Sequence, residues 1–462
     1  MSKSKKNGHG KEVKMYNKSK RAAFHNLGCK VNQYETDAMA QALCERGYEI
    51  VLFEAQADVY IINTCTVTNI ADRKSRQMFH RARKRNPDAI VVAVGCYAQE
   101  AKEELLADEA VDIIIGNNKK SQLPDILEKY FGEYKEKASK IAVCEDMSKG
   151  CQYEKMQMTE VTGHTRAFIK IQDGCNQFCT YCIIPYSRGR IRSREISDIE
   201  REVAALSKKG YKEIVLTGIH LSSYGKDLCE ENTTLIDVIE KLSGIDGIER
   251  IRLGSLEQGI ITEEFMERVR KIKKFCPHFH LSLQSGCAGT LKRMNRHYTP
   301  SEYMEKCRLI RKSFDNPAIT TDVITGFPGE SMEEFKETKR FLEAAEFAEM
   351  HIFKYSRRRG TKAAEMENQV DERIKSERSD ELLRLNNVLR EKYIKKFMGK
   401  TADILFEEKI LIENESYFVG YTREYVRVAV KTDKDLRNKI VCVKIKSLLN
   451  KEILLAQMNE IY

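Results

Sequence analysis

Three apolar runs, AAFHNLGC, VYIINTC and IVVAVGC, each stop at a cysteine: Cys29, Cys65 and Cys96. Runs this short read as buried strands, and helix-length segments, 34–46 and 69–85, lie between them. Strand and helix in alternation predict a doubly wound parallel sheet, because a parallel neighbour is reached only by a crossover. In such a sheet the carboxyl ends of the strands share one edge, where ligands bind. Thiols separated by 36 and 31 residues in the chain therefore converge. Packing in a core does not explain why each thiol stands at a strand end beside Gly28, Thr64 or Gly95, where the chain turns outward. A three-thiolate cluster site does.

A second trio, Cys175, Cys179 and Cys182, follows the strand-like run AFIKIQDG in C-x3-C-x2-C spacing. Structural zinc takes four protein ligands, so three thiolates leave a metal position open. On a [4Fe–4S] cluster that open position is one iron, and the spacing resembles that of the radical S-adenosylmethionine (SAM) enzymes. The resemblance implies that SAM chelates the free iron and that an electron from the cluster cleaves SAM to a 5′-deoxyadenosyl radical. Tyr181 is either the aromatic such enzymes place beside adenine or a packing residue. Strand-like runs recur at 166–172, 213–217, 249–254, 278–284, 317–323 and 347–353, separated by amphipathic stretches such as 194–209 and 331–345. Six βα units curl into an open barrel with one mouth. The segments LTGIHLSSYG, HLSLQSG and TDVITGFPGE then line the SAM and substrate cavity, with Gly218, Ser282, Gln284 and Gly326 as its cofactor-facing residues and Ser285 also past a strand end. The glycines serve equally well as turn formers.

With 462 residues the chain holds about three domains. Hydrophobic residues make up 42% and charged residues 32%, with 7 prolines and 25 glycines, which excludes disordered and collagen-like classes. The absence of any apolar run of about 18 residues, or of an apolar stretch after the basic N-terminus, predicts a cytoplasmic chain with no membrane span. The 14 cysteines then stay reduced. Cys44, Cys144, Cys151, Cys229, Cys276, Cys307 and Cys442 stand apart from any ligand spacing and read as buried packing residues. Of the net charge of +10, residues 1–21 supply eight cations and one acid, so the tail reads as a solvated arm. The segment 73–85 has seven Lys or Arg and no acid, and Arg188, Arg190, Arg192 and Arg194 follow the second trio. Arg81, Arg83, Lys84, Arg85, Arg188 and Arg190 are the expected phosphate contacts, with a solvated helix face as the alternative for 73–85.

Residues 371–398, with Leu382, Leu385, Leu389 and Ile394, predict a helix. Beyond 399 the runs ADILFEE, SYFVGYT, YVRVAV, IVCVKI and EILLAQM leave no room for helices. Five close strands make a small barrel of the kind that binds nucleic acid, and the segment resembles a TRAM domain. Tyr421, with Phe418 and Tyr425, either stacks bases or fills the sheet core.

Taken in order, NLGCKVNQYETDAMA, INTCTVT, GCYAQ, IQDGCNQFCTYCIIPYSRGR and TDVITGFPGE resemble the radical SAM methylthiotransferases. The resemblance implies an auxiliary [4Fe–4S] cluster on Cys29, Cys65 and Cys96, a SAM-binding one on Cys175, Cys179 and Cys182, and two SAM per turnover. It divides the chain into a tail (1–20), a methylthiotransferase domain (21–145), a radical SAM domain (160–370), a linker helix (371–398) and a TRAM domain (399–462). Lys30, Val31, Asn32 and Gln33, with the stretch ending in Cys287, resemble the branch acting on N6-threonylcarbamoyladenosine beside the anticodon of tRNA. Carbon C2 of adenine bears no acidic hydrogen, so abstraction by a radical, sulfur attachment and methylation are the implied route to the 2-methylthio product. An anticodon loop suits it because an unpaired base is splayed out at small cost. The implied partners are that loop, a flavodoxin- or ferredoxin-type electron donor and a sulfur donor. Isopentenyladenosine tRNA or a ribosomal-protein aspartate are the alternative substrates, and a non-catalytic iron–sulfur redox sensor that binds RNA is the alternative of another class. Gln258, Lys354, Arg357, Arg358 and Arg359 depart from the family pattern, where proline is frequent.

Overall fold

A computed structural model describes residues 19–134, 139–159, 165–228 and 233–458. The expected basic arm and Cys229 fall outside them, apart from its last residues, 19–21. The first domain is a parallel sheet in the order β2-β1-β3-β4-β5-β6: β1 Arg21–Asn26, β2 Glu49–Val51, β3 Val59–Thr64, β4 Ile90–Gly95, β5 Ile113–Ile115 and β6 Ile141–Val143. Every residue of β3 and β4 is buried, as expected of β-branched strands covered on both faces. Helix α1 (Lys30–Glu45) follows β1, α2 (Asn69–Arg85) follows β3 and the short α3 (Cys96–Glu100) follows β4. Thr68 caps α2 by accepting from the Ala71 amide, and Arg83, Lys84 and Arg85 complement the negative end of the helix.

The central domain carries the six expected parallel strands: β7 Arg166–Asp173, β9 Glu213–Gly218, β10 Arg250–Leu253, β12 His278–Leu281, β13 Ala318–Thr325 and β14 Glu349–Lys354. Two short strands, β8 (Arg192–Ser193) and β11 (Ser255–Leu256), complete two four-stranded sheets, β10-β9-β7-β8 and β11-β12-β13-β14, that form the arc of an open barrel. Ala167, Ile169 and Ile171 of β7 share an outer apolar core with Ile199, Val203 and Leu206 of the helix Ile196–Lys208. By the two-residue period the inward residues are Arg166, Phe168, Lys170 and Gln172 on β7, His278 and His280 on β12, and Thr320 and Asp322 on β13. An ordinary barrel fills this space with branched apolar side chains; here the inner wall is polar, and α1 of the first domain packs against β7 and β9.

The helix Glu372–Lys395 is no free linker. Leu382, Leu389 and Ile394 are buried, and Asn386 accepts from the Met350 amide of β14 at 2.8 Å. A closed barrel follows, formed by β15 (Thr401–Ile412), β16 (Glu415–Tyr421), β17 (Arg427–Val430), β18 (Ile440–Leu448) and β19 (Leu454–Met458) in the order β15-β16-β17-β19-β18. It docks under the amino ends of the central strands. Arg250 donates to the carbonyls of Tyr421 (2.9 Å) and Asp403 (2.7 Å), and Arg166 pairs with Glu407 at 2.7 Å. No helix among the described residues is long and apolar enough to cross a membrane.

Candidate cluster sites and the chamber between them

β1, β3 and β4 are neighbours in the sheet, so their ends deliver Cys29, Cys65 and Cys96 to one edge. Cys29 is the N-cap of α1, Cys65 follows β3 directly, and Cys96 opens α3. The turns leave no room for side chains. A Cβ on Gly28 would meet Asn32 at 2.3 Å, and Gly95, at φ +97°, would press one against Asn63 at 2.5 Å. Asn32 braces the edge by donating to the Thr64 carbonyl (2.9 Å), and its side-chain oxygen lies 3.5 Å from Cys29 Sγ. Burial and the neighbouring Cys96 push the Cys65 thiol up to about 12, and burial raises Cys29 against the pull of Arg188. A metal bound at this edge would displace thiol protons.

Cys175, Cys179 and Cys182 line the loop after β7. Gly174 is obligatory there: at φ +71° its Cβ would fall 1.8 Å from the Arg190 carbonyl oxygen. Burial, then the other thiols, pushes Cys182 up to about 12, while burial raises Cys175 to about 11. Arg296, paired with Glu257, brings Nη1 to 3.3 Å from Cys179 Sγ. Among the described residues the trio of His, Cys, Asp or Glu whose ligand atoms lie within 4.8 Å of one another is His280, Asp322 and His351. Neither cysteine trio is closed to the spacing of one tetrahedral ion, where thiolates sit about 3.8 Å apart. Three thiols with a guanidinium beside them have the donor chemistry that a cluster with an open corner takes.

One residue touches both loops. Arg188, six residues past Cys182, is 1% exposed, places Nε 3.2 Å from Cys96 Sγ and reaches Asn32 at 2.9 Å. It belongs to a buried ionic knot in which Glu35 of α1 accepts from Lys120 (2.7 Å), Lys170 (2.7 Å) and Arg188 (2.9 Å), and Asp173 accepts from Lys170 at 2.6 Å. Burial alone would raise the Glu35 carboxyl, but Arg188, Lys120 and Lys170 hold it far below the usual carboxylate range. The knot fastens the first domain to the barrel. Arg358 makes a second clasp, donating to Asp72 (2.5 Å) and Thr66 (2.7 Å), the residue after Cys65.

Between the clasps lies a cavity of about 250 Å³ lined by Val67 and Thr68 from the Cys65 loop, Tyr181 and Cys182 from the other, and Gln284, Asp322 and Tyr355 of the barrel. Tyr181 and Gln284 are thus both on the wall of this cavity. Tyr181 meets Phe327 edge-on at 6.4 Å, and Gln284 holds φ +72°, rare for a side chain that is not glycine. Gly218, Ser282 and Gly326 do not line that cavity. Gly218 abuts Gln172, the Ser282 carbonyl accepts from Tyr298 at 3.1 Å, and Gly326, at φ +69°, donates to Glu330 at 2.7 Å. Lower in the barrel His280 Nε2 lies 3.2 Å from Asp322 and its Nδ1 2.9 Å from Thr320. Lys30 keeps its surface open, yet loss of hydration, then Arg166 and Arg252, pushes it down to about 8.

The expected phosphate contacts divide. Arg81 and Lys84 are exposed. Arg83 is tied to Asp112 (2.5 Å) and three carbonyls, and Arg85 to the Glu54 carbonyl, so both brace the domain. Arg188 is corrected outright: a guanidinium closed inside the ionic knot meets no RNA. Arg192 and Arg194 are also buried, leaving Arg190 exposed over the Phe178 ring at 4.6 Å. Tyr421 is stacked on Tyr425 at 4.5 Å with Arg166 at 5.1 Å, so its ring serves the contact between barrels, and Phe418 is core. Of the cysteines read as packing residues, Cys276 and Cys307 are buried, Cys144 and Cys151 half-buried, and Cys44 and Cys442 exposed, which corrects the reading for those two. Cys287 is buried at the start of the helix Ala288–Arg293. The sequence did not single out Glu35, Lys120, Lys170 or Asp173, although charged residues inside the strand IKIQD were the available signal.

Comparison with known proteins agrees with this architecture. Residues 21–116 match the uncharacterized protein family UPF0004, and residues 169–342 the radical SAM superfamily. The chain is 43% identical over 424 residues to the threonylcarbamoyladenosine tRNA methylthiotransferase MtaB of Bacillus subtilis, covering 92% of this chain and 93% of that one. It is 43% identical over 396 residues to the MtaB of Aquifex aeolicus (85% and 95%). Against a tRNA-2-methylthio-N(6)-dimethylallyladenosine synthase of Acetivibrio thermocellus the identity is 34% over 444 residues (95% and 91%). The structure of the radical SAM methyltransferase TsrM from Kitasatospora setae superposes with a TM-score of 0.51 over 72% of this chain and 73% of that one, at 13% identity, a likeness of fold. With both family models matched in order and relatives of this identity along nearly its whole length, the chain belongs to the tRNA methylthiotransferases of the radical SAM superfamily.

Proposed function

We propose that this protein converts N6-threonylcarbamoyladenosine at tRNA position 37, next to the anticodon, into its 2-methylthio derivative. The observation that carries the reading is the single cavity walled by residues adjoining both cysteine trios, Val67 and Thr68 on one side and Tyr181 and Cys182 on the other. The relatives at 43% identity, named for threonylcarbamoyladenosine, support that substrate over dimethylallyladenosine, whose named synthases stand at 34% and 36%.

In this reading Cys175, Cys179 and Cys182 hold the SAM-binding [4Fe–4S] cluster, and Cys29, Cys65 and Cys96 hold the auxiliary one. When bound, the first supplies one-electron cleavage of SAM and the second a sulfur for carbon C2. The chain's own residues orient and enclose. Arg296 and Arg188 each offer a guanidinium to one trio, stabilising thiolate against thiol. Tyr181, Gln284, Phe353 and Tyr355 wall the reacting volume from bulk water. Arg81, Lys84 and Arg190 are the exposed cations left to meet RNA phosphates, with the C-terminal barrel as a TRAM-type RNA module. Two SAM per turnover, a low-potential flavodoxin- or ferredoxin-type donor, a separate sulfur donor and a cytoplasmic setting complete the proposal. The divisions at 21–145, 160–370, 371–398 and 399–462 go with it.

The test is anaerobic incubation of the iron- and sulfide-loaded protein with SAM, dithionite and tRNA carrying either N6 group, followed by mass spectrometry of the nucleosides. The expected product is 2-methylthio-N6-threonylcarbamoyladenosine. Thiolation confined to dimethylallyladenosine or to a ribosomal-protein aspartate overturns the substrate, and a failure to release 5′-deoxyadenosine or methionine under any condition favours a redox sensor.

A further inference from the structure

The polar inner wall of the barrel ends, at the amino ends of its strands, in an excess of positive charge. Arg166, Arg250 and Arg252 gather there around two carboxylates, Glu213 and Glu407. Lys30 of the first domain adds a fourth cation within electrostatic reach of Arg166, Arg252, Glu213 and His278. The three arginines are paired: Arg166 with Glu407 at 2.7 Å, Arg252 with Glu213 at 2.7 Å, and Arg250 with Glu213 at 3.6 Å and with backbone carbonyls. Among the described residues no hydrogen bond or ion pair holds the Lys30 ammonium, although its surface remains open. It is the first residue of the 16-residue helix α1, whose N-cap side chain makes no capping bond and whose first turn has no acid. The uncapped start of the helix adds its own positive end beside Cys29.

We propose that Lys30 is the receptor for the free carboxylate of the substrate's threonylcarbamoyl group, and so selects that group over an uncharged N6 substituent. This rests on the substrate reading given above. A threonine joined through a carbamoyl link keeps its carboxylate, whereas a dimethylallyl group is wholly apolar. The spacing agrees with the proposed chemistry. Carbon C2 must come to a sulfur held at the Cys29 edge, and the carboxylate at the far end of the N6 group then lies roughly 8–10 Å away, some three residues of extended chain. Lys30 is the residue next to Cys29, about 3.8 Å further along the backbone, and its flexible side chain covers the rest. An ammonium is a mobile point charge suited to a carboxylate on a flexible tail. An apolar tail in the same place would leave that charge unpaired beside three other cations.

The experiment measures binding of two anticodon hairpins to the full-length, cluster-loaded protein without SAM. One carries N6-threonylcarbamoyladenosine, and the other carries it with the carboxylate capped as a methylamide. The wild-type protein is expected to prefer the acid. Lys30→Gln is expected to weaken the acid hairpin about ten- to a hundredfold, leave the amide hairpin unchanged and raise KM more than it lowers kcat. Lys30→Arg is expected to restore most of the preference. Iron content and thermal midpoint of the variants report that the fold and clusters are intact. Equal loss for both hairpins assigns Lys30 to charge balance of the cluster or to phosphate, and overturns the proposal. So does a wild-type protein that binds acid and amide alike, a comparison that needs no variant. Wild-type protein that thiolates the acid hairpin while Lys30→Gln does so equally well refutes the role of Lys30 alone. Wild-type protein that makes no thiolated product from the acid hairpin refutes the substrate reading itself.

Discussion

The Nε of Arg188 lies 3.2 Å from the Sγ of Cys96, while the same guanidinium is gripped by Glu35 and Asp173. A residue from the loop that carries one cysteine trio therefore conditions a ligand of the other. Replacing Arg188 by Met leaves two buried carboxylates short of a cation, which costs about 3–5 kcal/mol. Chemical denaturation measures that loss. In a background lacking Cys175, Cys179 and Cys182, the same substitution is expected to reduce the iron held at the remaining trio, read from absorbance and metal analysis. Iron retention equal to that of the parent would show that the contact with Cys96 has no part in holding the cluster.

Separate substitution of the two trios divides the reaction. With Cys29, Cys65 and Cys96 changed to Ala, the protein should retain about four irons and still cleave SAM to 5′-deoxyadenosine, but form no carbon–sulfur bond. With Cys175, Cys179 and Cys182 changed, it should retain about four irons and leave SAM intact. A variant of the first kind that still thiolates tRNA would remove the auxiliary site from the mechanism.

Glu35 gives the acid limb of stability. Its folded-state carboxyl is held low by Arg188, Lys120 and Lys170 against the opposing effect of burial, so its contribution is complete above the unfolded value, near pH 4.3, and disappears as pH falls toward the folded one. Glu35→Gln should lower stability at pH 7 and flatten the stability profile below about pH 4.3. Denaturant midpoints measured from pH 3 to 7 decide it, and parallel curves for the two proteins would contradict the assignment.

Arg81 and Lys84 are exposed on α2, whereas Arg83 and Arg85 are bonded to their own domain. Reversing charge at Arg81 and Lys84 should weaken tRNA binding and reduce the slope of log K against log salt by about 1–2, with little change in folding. Arg83→Ala should do the opposite, lowering stability with tRNA affinity retained. Binding isotherms at several salt concentrations separate the two classes.

Arg358→Ala removes the clasp to Asp72 and Thr66 near Cys65. The expected cost is about 2–4 kcal/mol, because Asp72 is left largely buried without its cation. The thermal midpoint should fall while the SAM-binding trio keeps its iron.

The sequence was informative where chemistry is local. Each trio is marked by a strand ending in cysteine or by a tight three-cysteine spacing, and the six βα units follow from apolar periodicity, so the sheet, the barrel and the strand ends that carry the cysteines were legible. The ionic knot was not, because Glu35, Lys120, Lys170 and Arg188 come from four distant segments and only the docking of two domains brings them together. The arginines at 188, 190, 192 and 194 look alike in sequence and as a group suggest RNA. Yet burial turns three of them inward, and only Arg190 faces solvent. Tyr421 misled for a related reason: an aromatic at a strand end is equally able to stack a base or a neighbouring domain, and Tyr425 with Arg166 claims it here.

The ionic knot also sets a mechanical condition. Swinging the first domain away from the barrel would part Glu35 from Lys170 and Arg188 and leave Lys120 as its one remaining cation in the knot, so the knot opposes any hinging of the two halves. In the proposed reaction the span between the two cysteine-bearing edges would then be set when the chain folds, and each incoming nucleoside would have to fit that gap rather than set it.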